Sequence, residues 1–250
     1  MGNLVPQVIR GTMTKPRETT GRETRQRLSA LLEADDFHPA LHELRKWPRQ
    51  RVLRALLGSL CEGDEKRKGR AVSLMGLLTA ELARDDMEEA RELMRRLMWI
   101  LNEESGSSGW GAPQAMAEIM AVHEGLAEEY AHMLVSYMRE DGNYLENPFL
   151  QRDLLRGVGR VSGARPDLMK KHGADLHLLT FLDSPDRVVQ GLAAWCAGIL
   201  EVDEARPGLE SLVDEETEIV LYRDQGLVKR PAGHLAREAL GRLEKKGISY

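Results

Sequence analysis

The sequence predicts an all-α protein: a right-handed α-solenoid of about five stacked helix pairs, with a small β-hairpin near the C-terminus. Three observations carry this prediction. A short phrase recurs at His38-Pro39-Ala40-Leu41, Arg84-Asp85-Asp86-Met87, His123-Glu124-Gly125-Leu126, Arg165-Pro166-Asp167-Leu168 and Arg206-Pro207-Gly208-Leu209. Its starts lie 46, 39, 42 and 41 residues apart, a period that two-helix repeats produce. A glycine returns in the second helices at Gly76, Gly159, Gly198 and Gly241. Glycine inside a helix costs about 1 kcal/mol relative to alanine, so its return in register implies close helix packing. Finally, aromatic residues make up only 5% of the chain while hydrophobic residues reach 42%; the abundant Leu, Ala, Met, Glu and Arg are helix formers.

Each phrase opens a first helix, and Pro39, Pro166 and Pro207 suit the first turn, where an N–H has no helical partner. Second helices start at Asn147-Pro148 and Ser184-Pro185, which pair a capping side chain with a first-turn proline, and at Ala112-Pro113. In the first helix of the third repeat, Leu126, Tyr130, Met133, Leu134, Tyr137 and Met138 form one stripe. In the second helix of the fourth, Val188, Leu192, Trp195, Cys196 and Ile199 form another. Gly191, Ala194 and Gly198 lie on a different side of that helix, which is therefore expected to pack on more than one face.

The segments Arg187-Val188-Val189-Gln190-Gly191-Leu192-Ala193-Ala194-Trp195-Cys196-Ala197-Gly198-Ile199-Leu200 and Leu235-Ala236-Arg237-Glu238-Ala239-Leu240-Gly241-Arg242-Leu243 resemble second helices of HEAT-like repeats. Such repeats also occur in phycobilisome lyases and in armadillo-like solenoids. The resemblance spans residues 38 to 243 and implies architecture, because solenoids of this kind serve as scaffolds, adaptors and enzymes alike.

Two regions depart from the repeat. Residues 1–27 hold six basic residues, Arg10, Lys15, Arg17, Arg22, Arg25 and Arg27, against Glu18 and Glu23. They are expected to form a flexible basic arm ahead of a single solenoid domain over 28–250, with Glu23 to Leu32 as a candidate capping helix. Residues 217–229 read as a hairpin turning at Asp224-Gln225-Gly226, which must lean on helices because an isolated hairpin is marginal in water.

Long links between first and second helices mark a surface kept for contacts. They place Trp110, Tyr144 and Tyr222 on one edge, beside Glu103, Glu104, Glu140, Asp141 and Glu146. On the second helix of the third repeat, Arg152, Arg156 and Arg160 form a row suited to a carboxylate or phosphate. The plainer alternative is a solvated face paired with acids such as Asp153 or Glu118. The candidate partner-binding set is thus Trp110, Tyr144, Tyr222, Arg152, Arg156, Arg160 and Glu118.

The residues show neither a nucleophile elbow nor a phosphate loop, and His38 and His42, at an i, i+4 spacing that can bind a metal, have no third ligand indicated nearby. No cofactor or metal is expected. A net charge of −5 argues against a body built mainly for nucleic acid. No stretch has signal-peptide or membrane-spanning character, so a cytoplasmic location is expected, in a bacterial-type cell. The function expected is a non-catalytic scaffold that binds another protein through its loop edge and concave groove. The alternatives are a DNA repair enzyme of the HEAT-like glycosylase type, or a chromophore lyase or isomerase.

Overall fold

The computed structural model describes residues 21–35, 37–102, 110–223 and 226–248. Residues 1–20 of the basic arm, the link residues 103–109 with Glu103 and Glu104, and the hairpin turn at 224–225 lie outside the described residues. The chain opens with α1 (Gly21–Glu33), so the last residues of the segment expected as an arm are helical. The first repeat comprises α2 (Phe37–Leu44), α3 (Arg49–Ser59) and α4 (Glu65–Asp85). The second has α5 (Met87–Asn102) and α6 (Ala112–Val122), and the third α7 (Glu124–Ser136) and α8 (Pro148–Ala164). The fourth has α9 (Pro166–Lys171), α10 (Ala174–Leu182) and α11 (Arg187–Leu200). The fifth runs through α12 (Arg206–Ser211), β1 (Glu218–Arg223) and β2 (Gly226–Pro231) to α13 (Ala232–Ile248).

The expected helix pairs become three-helix units in the first and fourth repeats. Pro48 follows Trp47 between α2 and α3, and a proline disfavours helical geometry in the residue before it. Between α9 and α10, Gly173 takes a left-handed φ of 79° that ends one helix before the next begins. In the fifth repeat the hairpin stands in the chain position that α3 and α10 hold in theirs.

Side chains cap helices within the repeats and at one boundary between them. Asp64 accepts from Arg67 N at 2.7 Å ahead of α4, and His123 Nδ1 accepts from Leu126 N at 3.1 Å ahead of α7. Asn147 accepts from Phe149 N at 2.9 Å, with Pro148 in the first turn of α8. The cap of α11 differs from expectation. Asp186, rather than Ser184, accepts from Val188 N and Val189 N, at 2.9 and 3.2 Å. The Ser184 hydroxyl instead accepts from Asp186 N at 3.2 Å and holds the capping residue in place.

The second helices form one layer in which α4 packs on α6, α6 on α8, α8 on α11 and α11 on α13. The recurring glycines sit at these contacts. A Cβ at Gly76 would come 2.6 Å from Glu118 Cγ, and one at Gly198 would come 2.7 Å from Ala239 Cβ. Gly159 lies directly against the Trp195 ring, while Gly241, on the last helix, faces open space. Where the glycine register skips, Ala117 meets Gly157 of the next helix instead. The first helices cover the other side of this layer, burying Leu126, Leu134, Tyr137 and Met138 of the predicted stripe. As the small residues of α11 imply, that helix packs on α8, α10, α13 and β1 together.

The hairpin pairs antiparallel from Glu218↔Pro231 to Arg223↔Gly226. Both faces of β1 are covered. Ile219 is fully buried against Gly191 of α11, and Tyr222 lies on Gly69 of α4. The strand therefore joins the fifth repeat to the first, and the second helices with this strap line a cavity. Among the described residues, no helix is long and apolar enough to cross a membrane.

Candidate functional site

The cavity has a volume of about 780 Å³. Its floor is made by Ser73 and Leu77 of α4, Glu118 of α6, Arg156 and Arg160 of α8 and Ile199 of α11. Leu221, Tyr222 and Arg223 of β1 wall one side, and Arg242 of α13 borders it. Four arginines and one glutamate are its charged lining residues, so a protein with a net charge of −5 carries a positive interior face.

The arginine row expected on α8 is present, and each member is held differently. Arg152 reaches Asp186 at 2.5 and 3.1 Å and lies 4.9 Å from the Phe149 ring centroid. Burial alone would push the Asp186 carboxyl up, but the bonds from Arg152 and from two backbone N–H groups more than offset it, and its pKa is lowered. Arg156 donates to Asp153 at 3.1 Å and to the Val220 carbonyl at 3.0 Å, tying the hairpin to α8. Arg160 grips Glu118 through two bonds of 2.6 and 3.1 Å. The pairing with Asp153 and Glu118 weighed as the plainer alternative is thus present. The exposed Arg160 pair contributes well under the several kcal/mol of a desolvated one.

The three edge aromatics divide. Trp110 stacks on Phe149 with centroids 5.7 Å apart and planes at 24°, and Phe149 itself is 54% exposed. Tyr144 is anchored to the same end of α8, accepting from Gln151 Nε2 at 3.1 Å and packing 6.0 Å from Phe181. Tyr222, expected beside them on the edge, instead turns into the cavity and covers Gly69. The reason is the strand's alternation: with Ile219 and Leu221 buried on one face, Tyr222 must take the other. Of the expected edge carboxylates, Asp141 is paired with Arg139 at 2.6 Å.

Asp153 is the residue that sequence reasoning undervalued. It is 4% exposed and accepts from Lys68 at 3.2 Å, Gly111 N at 2.8 Å, Gln114 at 2.5 Å and Arg156 at 3.1 Å. These donors come from α4, the start of α6 and α8. A carboxylate suits the orphan N–H groups at the start of a helix. The signal was an acid one turn ahead of Gly157, the glycine that packs on Pro113 and Ala117 of α6. Trp195, Arg223, Arg242 and Ser162 were also not singled out as site residues, because only the folded hairpin brings its Arg223 to the cavity that the other three line.

Among the described residues no group of three histidines, cysteines or acidic residues is arranged to hold a metal ion. No protein-family model and no curated protein matches the chain. Solved structures do. An engineered protein determined by the Northeast Structural Genomics Consortium is 16% identical over 89% of this chain and 97% of its own, with a TM-score of 0.51. A second engineered protein from that consortium is 16% identical over 88% of this chain and 98% of its own, with a TM-score of 0.50. A designed armadillo repeat protein in complex with the peptide (KR)4 aligns over 88% of this chain and 99% of its own at 16% identity, with a TM-score of 0.49. The chain shares its fold, an α-solenoid of helical repeats, with the two engineered proteins. At this identity the likeness is one of fold alone, and it lends no support to the phycobilisome-lyase type of repeat. In this solenoid the hairpin lies along one side of the cavity.

Proposed function

We propose that the protein is a non-catalytic scaffold of a bacterial-type cytoplasm that seats a partner protein in the strapped cavity, with the Trp110–Phe149 stack as a second contact at the adjoining edge. The observation that carries this reading is the cavity itself, of about 780 Å³ and lined by second helices from every repeat. A surface assembled from many repeats suits an extended segment of another chain, which each repeat can contact in turn. Arg156, Arg160, Glu118 and Tyr222, all in the candidate set, line it. Trp110, with Phe149 exposed beside it, has the aromatic character of an interaction hot spot. Arg152 and Tyr144 support that edge by holding Phe149 and α8 in place.

The test is affinity capture from nuclease-treated lysate of the source cells with wild type and Gly163→Trp. Gly163 lines the cavity, and a Cβ there meets nothing within 4 Å, so a tryptophan is expected to start from open space and obstruct the cavity. A protein held by wild type and lost with the variant, at unchanged thermal stability, is the expected result. Capture unaffected by the block would contradict the reading, as would capture of nucleic acid alone in an untreated sample.

A further inference from the structure

Two of the cavity's four arginines have their charge neutralised by a carboxylate and two do not. Arg156 faces Asp153 and Arg160 faces Glu118. Arg223 lies over the Trp195 ring, 4.9 Å from its centroid, and Arg242 donates to the Gly198 carbonyl at 3.5 Å. Neither forms an ion pair among the described residues. A guanidinium held against an aromatic face keeps its outer N–H groups available for a planar anion.

A separate observation points the same way. Ser162 of α8 lines the cavity and is 1% exposed, yet its hydroxyl has no hydrogen-bond partner. A buried hydroxyl left without a partner costs about 1–3 kcal/mol, so this one is suited to a ligand atom that completes it. Around these groups the wall is apolar, with Val72, Leu77, Val122, Ile199 and Leu221.

Resting on the scaffold reading, we propose that the partner segment seated in this cavity is an extended acidic peptide. Its anionic side chains sit on Arg223 and Arg242, an acceptor meets Ser162, and apolar side chains lie against the wall. A carboxylate and a phosphoryl group present the same chemistry to these residues, since both take paired N–H donors from a guanidinium. Single-stranded nucleic acid fits less well, because it binds by stacking bases on free aromatic faces. Of the cavity's aromatic rings, Trp195 is 9% exposed with Arg223 over it, and Tyr222 is spent on Gly69.

The experiment titrates the full chain with short capped peptides of one pattern: aspartate alternating with leucine, then asparagine, lysine or phosphoserine in place of the aspartate. An oligothymidylate is the nucleic-acid probe. Wild type is expected to bind the aspartate or phosphoserine peptide about tenfold or more tightly than the asparagine one, and added salt weakens it. The tighter of the two anions identifies the group recognised. Arg223→Gln with Arg242→Gln is expected to remove about tenfold or more of that affinity. Ser162→Ala removes a smaller factor and raises the unfolding midpoint, because it takes away the unpartnered buried hydroxyl, while the double arginine variant keeps the wild-type midpoint. Equal binding of the asparagine peptide, or tighter binding of the lysine peptide or of the oligothymidylate, overturns the acidic assignment. Of these, tight binding of the asparagine or lysine peptide leaves the scaffold reading standing. Absence of binding by every peptide overturns both.

Discussion

The ring of Tyr222, in the hairpin of the last repeat, lies directly on Gly69, in the first turns of α4, where no side chain larger than hydrogen fits beneath it. The contact spans the solenoid from its fifth repeat to its first and gives the cavity its closed side. Gly69→Ala should therefore lift the strap. Overpacking costs about 1–3 kcal/mol, partly offset by about 1 kcal/mol from replacing a helical glycine. Stability alone is a blunt readout for this reason. Amide exchange in 218–223 should accelerate, and Tyr222→Ala in the Gly69→Ala background should remove the ring contacts and leave only the 2.9 Å approach of the residue-222 Cβ, a coupling that a double-mutant cycle measures.

Asp153 holds three helices through one carboxylate, and its Lys68 partner has only 10% of its side chain exposed. Asp153→Ala should lower unfolding free energy by up to about 3–5 kcal/mol, because it leaves the buried Lys68 with Glu65 alone and unpairs Gly111 N and Gln114. Replacing both partners, Lys68→Met with Asp153→Leu, should cost less than Asp153→Leu alone. Equilibrium denaturation of the three variants checks the order.

The recurring glycines supply their own control. Gly159→Ala drives a methyl into Trp195 and should destabilise by about 1–3 kcal/mol. Gly241→Ala meets nothing within 4 Å and should stabilise by up to about 1 kcal/mol. Opposite signs in denaturant midpoints are the expected outcome.

Asp186 both caps α11 and pairs with Arg152. Its pKa is lowered in the folded state, so its contribution is present above the ordinary aspartate range, near pH 4. It is lost as pH falls through the depressed value. Asp186→Asn should leave a shallower fall in stability on the acid side, read from unfolding midpoints across a pH series.

The repeat was legible in the sequence because it depends on local rules. Prolines, caps and apolar periodicity act within one or two helices, and Gly76, Gly159 and Gly198 mark contacts between neighbours. The arginine row was legible for the same reason, as a pattern on one helix. The cap at Asp186 was displaced by two residues because Ser184 and Asp186 both suit that role, and geometry chose between them. The cavity was not legible. It exists because residues 218–223 return to α4, about 150 residues earlier in the chain, and neither strand alternation nor charge reveals which helix a strap will reach. Arg223, Arg242 and Ser162 acquire meaning only through that return.

The central claim, that a partner lies in the cavity beneath the hairpin, is tested most directly by photo-crosslinking. A photoreactive residue is placed at Leu77, which lines the cavity, or at Trp99, 63% exposed on α5 and outside its lining. Adducts are mapped by mass spectrometry. The account predicts a protein adduct from position 77 that Gly163→Trp abolishes, and none from position 99. Adducts from position 99, or adducts from position 77 that survive the block, would contradict it.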